Sequence, residues 1–255
     1  VSVMESHTEP GLDDILYQCV PLVTDWMAKK GILDDNKPPL LSIVADYLLY
    51  LTEFDKWNSL PRLVATHKVL QSVGRMRDAD VLVLGCISPL LTKIGQDKIL
   101  LAEWLPSICN SQDLQLQSRA LNQTANILGL IGDNEKALAL LQQSLDIRIQ
   151  IDDKEGEART LANIAGVYRD RGNYETALSF LEQSLATSRQ YDYKETEGSV
   201  LHDIAGAYIA QGNRIAAIPY LKQALELRKQ TGDQEGFGLT LNTISQMFMG
   251  FGMFK

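Results

Sequence analysis

At 255 residues, with 45% apolar and 22% charged side chains, only 8 prolines and a formal charge of -8, the chain has the make-up of a folded, helix-rich protein. No run of Lys or Arg interrupts the acidic balance, which argues against a nucleic-acid partner because phosphate binding needs clustered cations. The three cysteines lack a CxxC spacing and the three histidines lie far from them, so neither a metal site, a disulfide framework nor a cofactor is expected; no apolar run reaches the ~18 residues of a membrane span.

The N-terminus carries acids at Glu5 and Glu9 where a secretory signal would carry cations, so a cytoplasmic location is expected. Residues 1–11 are aperiodic and read as a flexible tail. From 12 to 117 the pattern is that of an N-terminal helical region. Asp13 and Asp14 precede an apolar face (Ile15, Leu16, Cys19, Leu22, Val23, Trp26) that stops at Gly31 and should kink at Pro21. Asp34–Pro39 reads as a loop, and Leu40 to Leu51 as a strongly apolar second helix. Helices are expected near 60–73, 77–94 and 97–109. The first two form a worn hairpin whose Leu63, Thr66, Leu70, Val73 and Gly74 answer Leu121, Thr124, Leu128, Ile131 and Gly132.

Residues 118–255 are dominated by internal repetition. Ser118–Glu157, Ala158–Glu197 and Gly198–Phe237 align without a gap at a period of 40, and a partial copy occupies 238–255. In the second copy Leu161, Ile164, Ala165 and Tyr168 trace one stripe of a first helix that ends at Gly172. Asn173, like Asp133 and Asn213, is placed to cap a second helix carrying Ala177, Leu181, Ser184 and Leu185 inward. Asp133-Asn134 leaves the cap of the first copy open between two residues. Pro219 falls inside a second helix and should bend it. The last first helix, over 238–251, has Leu241, Ile244, Met247, Phe248 and Phe251 without a second helix to cover them, so either more chain or self-association through that helix is expected.

These positions are those of the tetratricopeptide repeat. Leu161, Ala165, Tyr168, Gly172-Asn173-Tyr174, Ala177, Leu181 and Ser184 resemble its signature over 118–252, and a fainter likeness covers about 57–94. The 40-residue period is similar to that of Pins-type adaptors, kinesin light chains and the sensor arms of bacterial STAND-type signalling ATPases. Trp57 ahead of Gly74-Arg75 looks most like the last of these. The resemblance implies an all-α, right-handed superhelical array of antiparallel helix hairpins, a TPR-like α-solenoid, whose first helices line a concave groove for a peptide or partner segment.

By that resemblance the partner-binding residues are Arg119, Asn122, Gln123 and Asn126 in the first copy, Arg159, Asn163 and Arg169 in the second, and His202 and Asp203 in the third. Ala162, Gly166, Ser199 and Gly206 fill the remaining positions. Side-chain amides suit an extended peptide backbone, and Arg can grip a carboxylate, so the expected partner is a protein or peptide carrying acidic groups. A single such residue on a helix is ordinarily solvated surface; the case rests on the row. His202 has no nucleophile at a supporting spacing, and no phosphate loop or nucleophile elbow occurs, so no enzyme activity is read. The functional expectation is a non-catalytic protein-interaction scaffold, with a sensory or autoinhibitory arm of a larger signalling ATPase or protease as the alternative.

Overall fold

The computed structural model describes residues 45–49 and 59–249. The expected tail, the helix before Gly31, the loop Asp34–Pro39 and the residues Phe251 and Gly252 lie outside that range. Among the described residues every regular element is a helix. They divide into two compact units between Ile108 and Cys109, each described by itself.

In the first unit α1 (Leu60–Ser72) ends at Gly74, whose φ of 75° lets the chain reverse, and α2 (Met76–Leu82) runs through a wide turn at Val83–Ile87 into α3 (Ser88–Lys93). A short α4 (Asp97–Ile99) passes through a second wide turn at Leu100–Trp104 into α5 (Leu105–Cys109). Regular helices were expected over both stretches. The departures have one cause: each π turn ends two residues before a proline, Pro89 or Pro106. A proline ring presses on the carbonyl four residues back, and widening the preceding turn moves that carbonyl away. His67 packs edge-on against Trp104 at 4.8 Å, and Arg75 pairs with both Asp46 and Asp78.

The second unit is a succession of antiparallel hairpins. Leading helices α6 (Leu114–Leu130), α8 (Lys154–Asp170), α10 (Lys194–Ala210) and α12 (Gln234–Met249) alternate with trailing helices α7 (Asn134–Gln150), α9 (Tyr174–Gln190) and α11 (Arg214–Thr231). Each leading helix starts four residues ahead of the repeat as cut from the sequence. In three of the four a cap upstream of the alignment frame marks the start: Asp113, Asp153 and Asp233 accept from the backbone N–H groups of Leu116, Gly156 and Gly236. Within the hairpins Asp133, not Asn134, caps α7, and Asn173 and Asn213 cap α9 and α11. At the end of α8 the Gly172 and Asn173 N–H groups reach back to Arg169 and Tyr168, closing the helix with a left-handed residue at Gly172. Pro219 does not interrupt α11; it lies exposed, and the carbonyl it fails to bond belongs to Ile215, itself 74% exposed.

The core is copied with the repeat. Ala125 and Ala137, Ala165 and Ala177, and Ala205 and Ala217 are all fully buried where the two helices of a hairpin come together. Around them Leu141, Leu145, Leu161 and Ile164 form one cluster, and Leu181, Leu185, Val200, Leu201 and Ile204 the next. Tyr168 stacks on Phe180 and Tyr208 on Tyr220, both at 5.6 Å. Ser144 and Ser184 tie trailing to leading helix by donating to the Ser118 and Ala158 carbonyls at 2.8 and 2.7 Å. Leading helices of successive repeats pack directly on one another, and each trailing helix packs on the leading helix that follows it.

The junctions between repeats use two different chemistries. At the first, buried Arg148 reaches Asp153 Oδ2 and Ser144 Oγ, both at 3.3 Å. At the third, buried Arg228 reaches the Gly236 carbonyl, Thr240 Oγ1 at 2.6 Å and Asp233 Oδ2 at 3.6 Å. The guanidinium occupies space a side chain would need: a Cβ on Gly156 would lie 1.8 Å from Arg148 Nη1, and one on Gly236 2.7 Å from Arg228 Cζ. At the middle junction Arg, Asp, Gly and Thr are replaced together by Ser188, Tyr193, Thr196 and Val200. Without the arginine the glycine is unnecessary, and without the aspartate the N-terminus of α10 has no side-chain cap.

Gly156→Ala is therefore expected to lower the unfolding free energy by about 1–3 kcal/mol, from overpacking and a strained ion pair. Converting the whole junction (Arg148→Ser, Asp153→Tyr, Gly156→Thr, Thr160→Val) should recover most of that loss. Urea denaturation of the single and quadruple variants checks this; a fully tolerated alanine would contradict the packing described.

Candidate functional site

The sequence-predicted residues stand on the leading helices α6, α8 and α10. Successive leading helices touch one another directly. That contact brings residues of neighbouring repeats within hydrogen-bond reach. Asn163 Nδ2 donates to Asn122 Oδ1 at 3.0 Å, and His202 Nε2 lies 3.0 Å from Thr243 Oγ1. Thr196 Oγ1 lies 3.4 Å from both Glu155 Oε1 and Arg159 Nε. Thr196, Glu155 and Thr243 were not among the expected site residues. Glu155 recurs with the period and reads as a helix N-terminal charge, Thr196 stands outside the row chosen for polar side chains, and Thr243 continues that row into the fourth copy, for which no site residues were named.

The cations differ in how far they are committed. Arg159 is exposed and ion-paired with Glu155, one helical turn earlier. Arg169 bonds the neighbouring Asp170 at 3.1 and 3.2 Å. Arg119 is exposed and makes no ion pair among the described residues; with Arg159 it adds positive potential around the buried Arg148. Asn126 is exposed, and Asn122 and Gln123 are half-buried. The first two repeats thus present a cationic and amide-rich stretch.

The third repeat presents an acid. Asp203 keeps 40% of its side chain accessible, yet protein surrounds it closely enough to push its carboxyl up to about 6. Crowding by neighbouring protein disfavours the charged form and is the largest cause of the shift. Arg169 and Arg228 work in the opposite direction and favour the ionised form. Burial, helped by the same two arginines, holds the neighbouring His202 below the ordinary imidazole value. Away from this row, an open cleft of about 490 Å³ is lined by Asp113, Leu114, Gln115, Ile151 and Asp153 near the starts of α6 and α8.

Among the described residues no group of three or more His, Cys, Asp or Glu side chains could hold a metal, and no helix is long and apolar enough to cross a membrane. Cys86 and Cys109 are free thiols, both raised by burial.

The folded carboxyl of Asp203 binds its proton more tightly than the ~3.9 of an unfolded aspartate. Its contribution to stability is therefore present in full below about pH 4 and lost as pH rises through about 6. Asp203→Asn should raise the melting temperature relative to the parent at pH 7.5, and the advantage should shrink toward pH 4. A difference independent of pH would contradict the assignment.

A tetratricopeptide repeat model matches residues 116–190 and 156–230. No curated protein matches the chain. Among solved structures, a Rap protein complexed with competence and sporulation factor superposes with a TM-score of 0.62 at 12% identity, covering 96% of this chain and 77% of that one. BtubC (BKLC) from P. vanneervenii gives 0.43 at 15% identity, covering 84% and 91%. A Podosopora anserina putative kinesin light chain with nearly identical TPR-like repeats gives 0.39 at 17%, covering 85% and 96%. The superposition at 0.62 is a likeness of fold, and it agrees with the capped, alanine-crossed hairpins described above. Residues 116–230, the three hairpins from α6 to α11, are thus tetratricopeptide repeats by their family match.

Proposed function

We propose that this protein is a non-catalytic protein–protein interaction scaffold that holds an extended peptide or partner segment along its leading helices. The observation that carries this reading is the hydrogen bond from Asn163 to Asn122 across two repeats, at 3.0 Å. It presents paired side-chain amides in one row, and an amide can both donate to and accept from a peptide backbone. Arg119, Arg159 and Arg169 stand in the same row, which favours a partner with acidic groups near the first two repeats. Asn126 and Gln123 extend the amide surface, while His202 and Asp203 end it.

The Rap structure is of a protein complexed with a factor, a precedent for a chain of this architecture engaging another molecule. The free thiols are in keeping with a reducing, cytoplasmic setting. The fourth leading helix exposes Leu239 and Met249, and also Leu241, at 43%, where the equivalent Leu121, Leu161 and Leu201 of the earlier repeats are buried. Self-association through this helix fits that exposure, and sedimentation at several concentrations measures it.

Peptides selected from a random library on the wild-type chain test the groove. Asn163→Ala and Arg119→Glu should each weaken their binding by roughly ten-fold or more, the loss expected for one interface hydrogen bond or charge contact. Fluorescence anisotropy provides the measurement, and unchanged affinity in both variants would refute the placement.

A further inference from the structure

Successive leading helices are joined by a regular set of rungs, each between a residue and the one 41 positions later. Asn122 pairs with Asn163, Glu155 with Thr196, and His202 with Thr243. Asn122–Asn163 and His202–Thr243 occupy the same place in their repeats. The rung that falls between them in this series is Ala162 with Asp203. Alanine has no polar atom to offer, and Asp203 accepts no hydrogen bond among the described residues. The one cation-forming side chain within 4.0 Å of it among the described residues is His202, whose Nδ1 lies at 4.0 Å on its own helix, and that ring already bonds Thr243.

The cations around Asp203 are engaged elsewhere. Arg169, from α8, is turned to Asp170. Arg228, from α11, gives its Nη1 to the Gly236 carbonyl and Thr240, while its buried Nε lies 3.6 Å from Asp233 Oδ2 without a hydrogen bond. Both are near enough to favour the charged carboxylate without sharing a hydrogen bond with it. One turn further along each helix the chain is bare: a Cβ at Gly166 would meet nothing within 4 Å, and one at Gly206 only Arg169 Nη1 at 3.7 Å. A carboxylate that accepts no hydrogen bond where the equivalent places hold bonded pairs, with open space beside it, is a vacancy in an otherwise regular series.

We infer that the Ala162–Asp203 rung is completed by the partner, through a lysine or arginine side chain of the bound segment that donates to the Asp203 carboxylate. The inference rests on the scaffold reading and sharpens it: the segment carries acidic character toward Arg119 and Arg159 and a basic residue at the third repeat. Specificity then has an electrostatic direction, because a segment laid in reverse would set like charges against each other at both ends. Donation to the carboxylate requires it to be ionised, so binding releases a proton and strengthens as pH rises through the titration of Asp203. Protonation of His202 at low pH acts in the same sense; the other nearby acids, Asp170 and Asp233, face Arg169 and Arg228.

The test uses random peptides displayed on phage and selected on the full chain at pH 7.5, with parallel selections on Asp203→Asn and Ala162→Asn. The wild-type pool should concentrate Lys or Arg at one position. Asp203→Asn should lose that preference, and Ala162→Asn should reduce it by supplying an internal donor like Asn122. Individual wild-type peptides should bind about ten-fold more weakly at pH 5 than at pH 7, as expected for a carboxylate only about one-tenth ionised one unit below its midpoint, and Asp203→Asn should flatten that dependence. Peptides that depend on Asn163 but keep the same basic preference on Asp203→Asn, or never had one, overturn this inference alone. Peptides indifferent to Asn163→Ala, or no selectable peptides at all, overturn the scaffold reading beneath it as well.

Discussion

The close crossing of the two helices in each hairpin governs everything downstream of it. Where Ala125 meets Ala137, Ala165 meets Ala177 and Ala205 meets Ala217, the absence of larger side chains lets the helix axes approach, and all six alanines are fully buried. That approach sets the thickness of a repeat, and repeat thickness sets how near one leading helix comes to the next. Side chains as short as Asn and Thr can then bridge repeats directly. A bulkier residue at the crossing would cost stability and would also move the rungs between leading helices out of hydrogen-bond range.

Between hairpins the array uses two solutions to one geometric problem, how to turn the chain and start the next helix. Arg148 and Arg228 fill the junction with a guanidinium that needs an aspartate for its charge and a glycine for its volume. The middle junction dispenses with the cation, and with it the other two requirements lapse: Ser188 bonds back to the Ser184 carbonyl, and Val200 joins the apolar cluster. A buried ion pair has no clear advantage in stability over apolar packing of the same volume. The two solutions can therefore coexist in one array at little cost, which accounts for their alternation along the chain.

Asp203 shows how a repeat architecture exposes a departure from its own rule. In a fold without internal repetition, an unpaired acid on a surface would attract no notice. Here the equivalent places one repeat earlier and one later hold paired residues, and the contrast isolates Ala162 and Asp203. The raised proton affinity of Asp203 follows from the same cause, since it is crowded by protein that offers no donor.

The sequence by itself determined the period, the helix pairs, the turn at Gly172-Asn173 and the inward faces of the leading and trailing helices, because each is a local periodicity that backbone geometry translates directly. It also carried the residues of the candidate row, on the strength of a family resemblance. It did not disclose the wide turns ahead of Pro89 and Pro106, or the continuity of α11 through Pro219, because the effect of a proline depends on whether the neighbouring turn is free to open. The Arg148–Asp153–Gly156 association was written in the sequence as joint replacement at the middle junction, but it becomes legible only when the guanidinium is seen to occupy the missing Cβ. Which residues of adjacent repeats meet was decided by tertiary structure alone: the offset is 41 where the repeat is 40, a displacement produced by the packing of one helix against the next, which no period in the chain records.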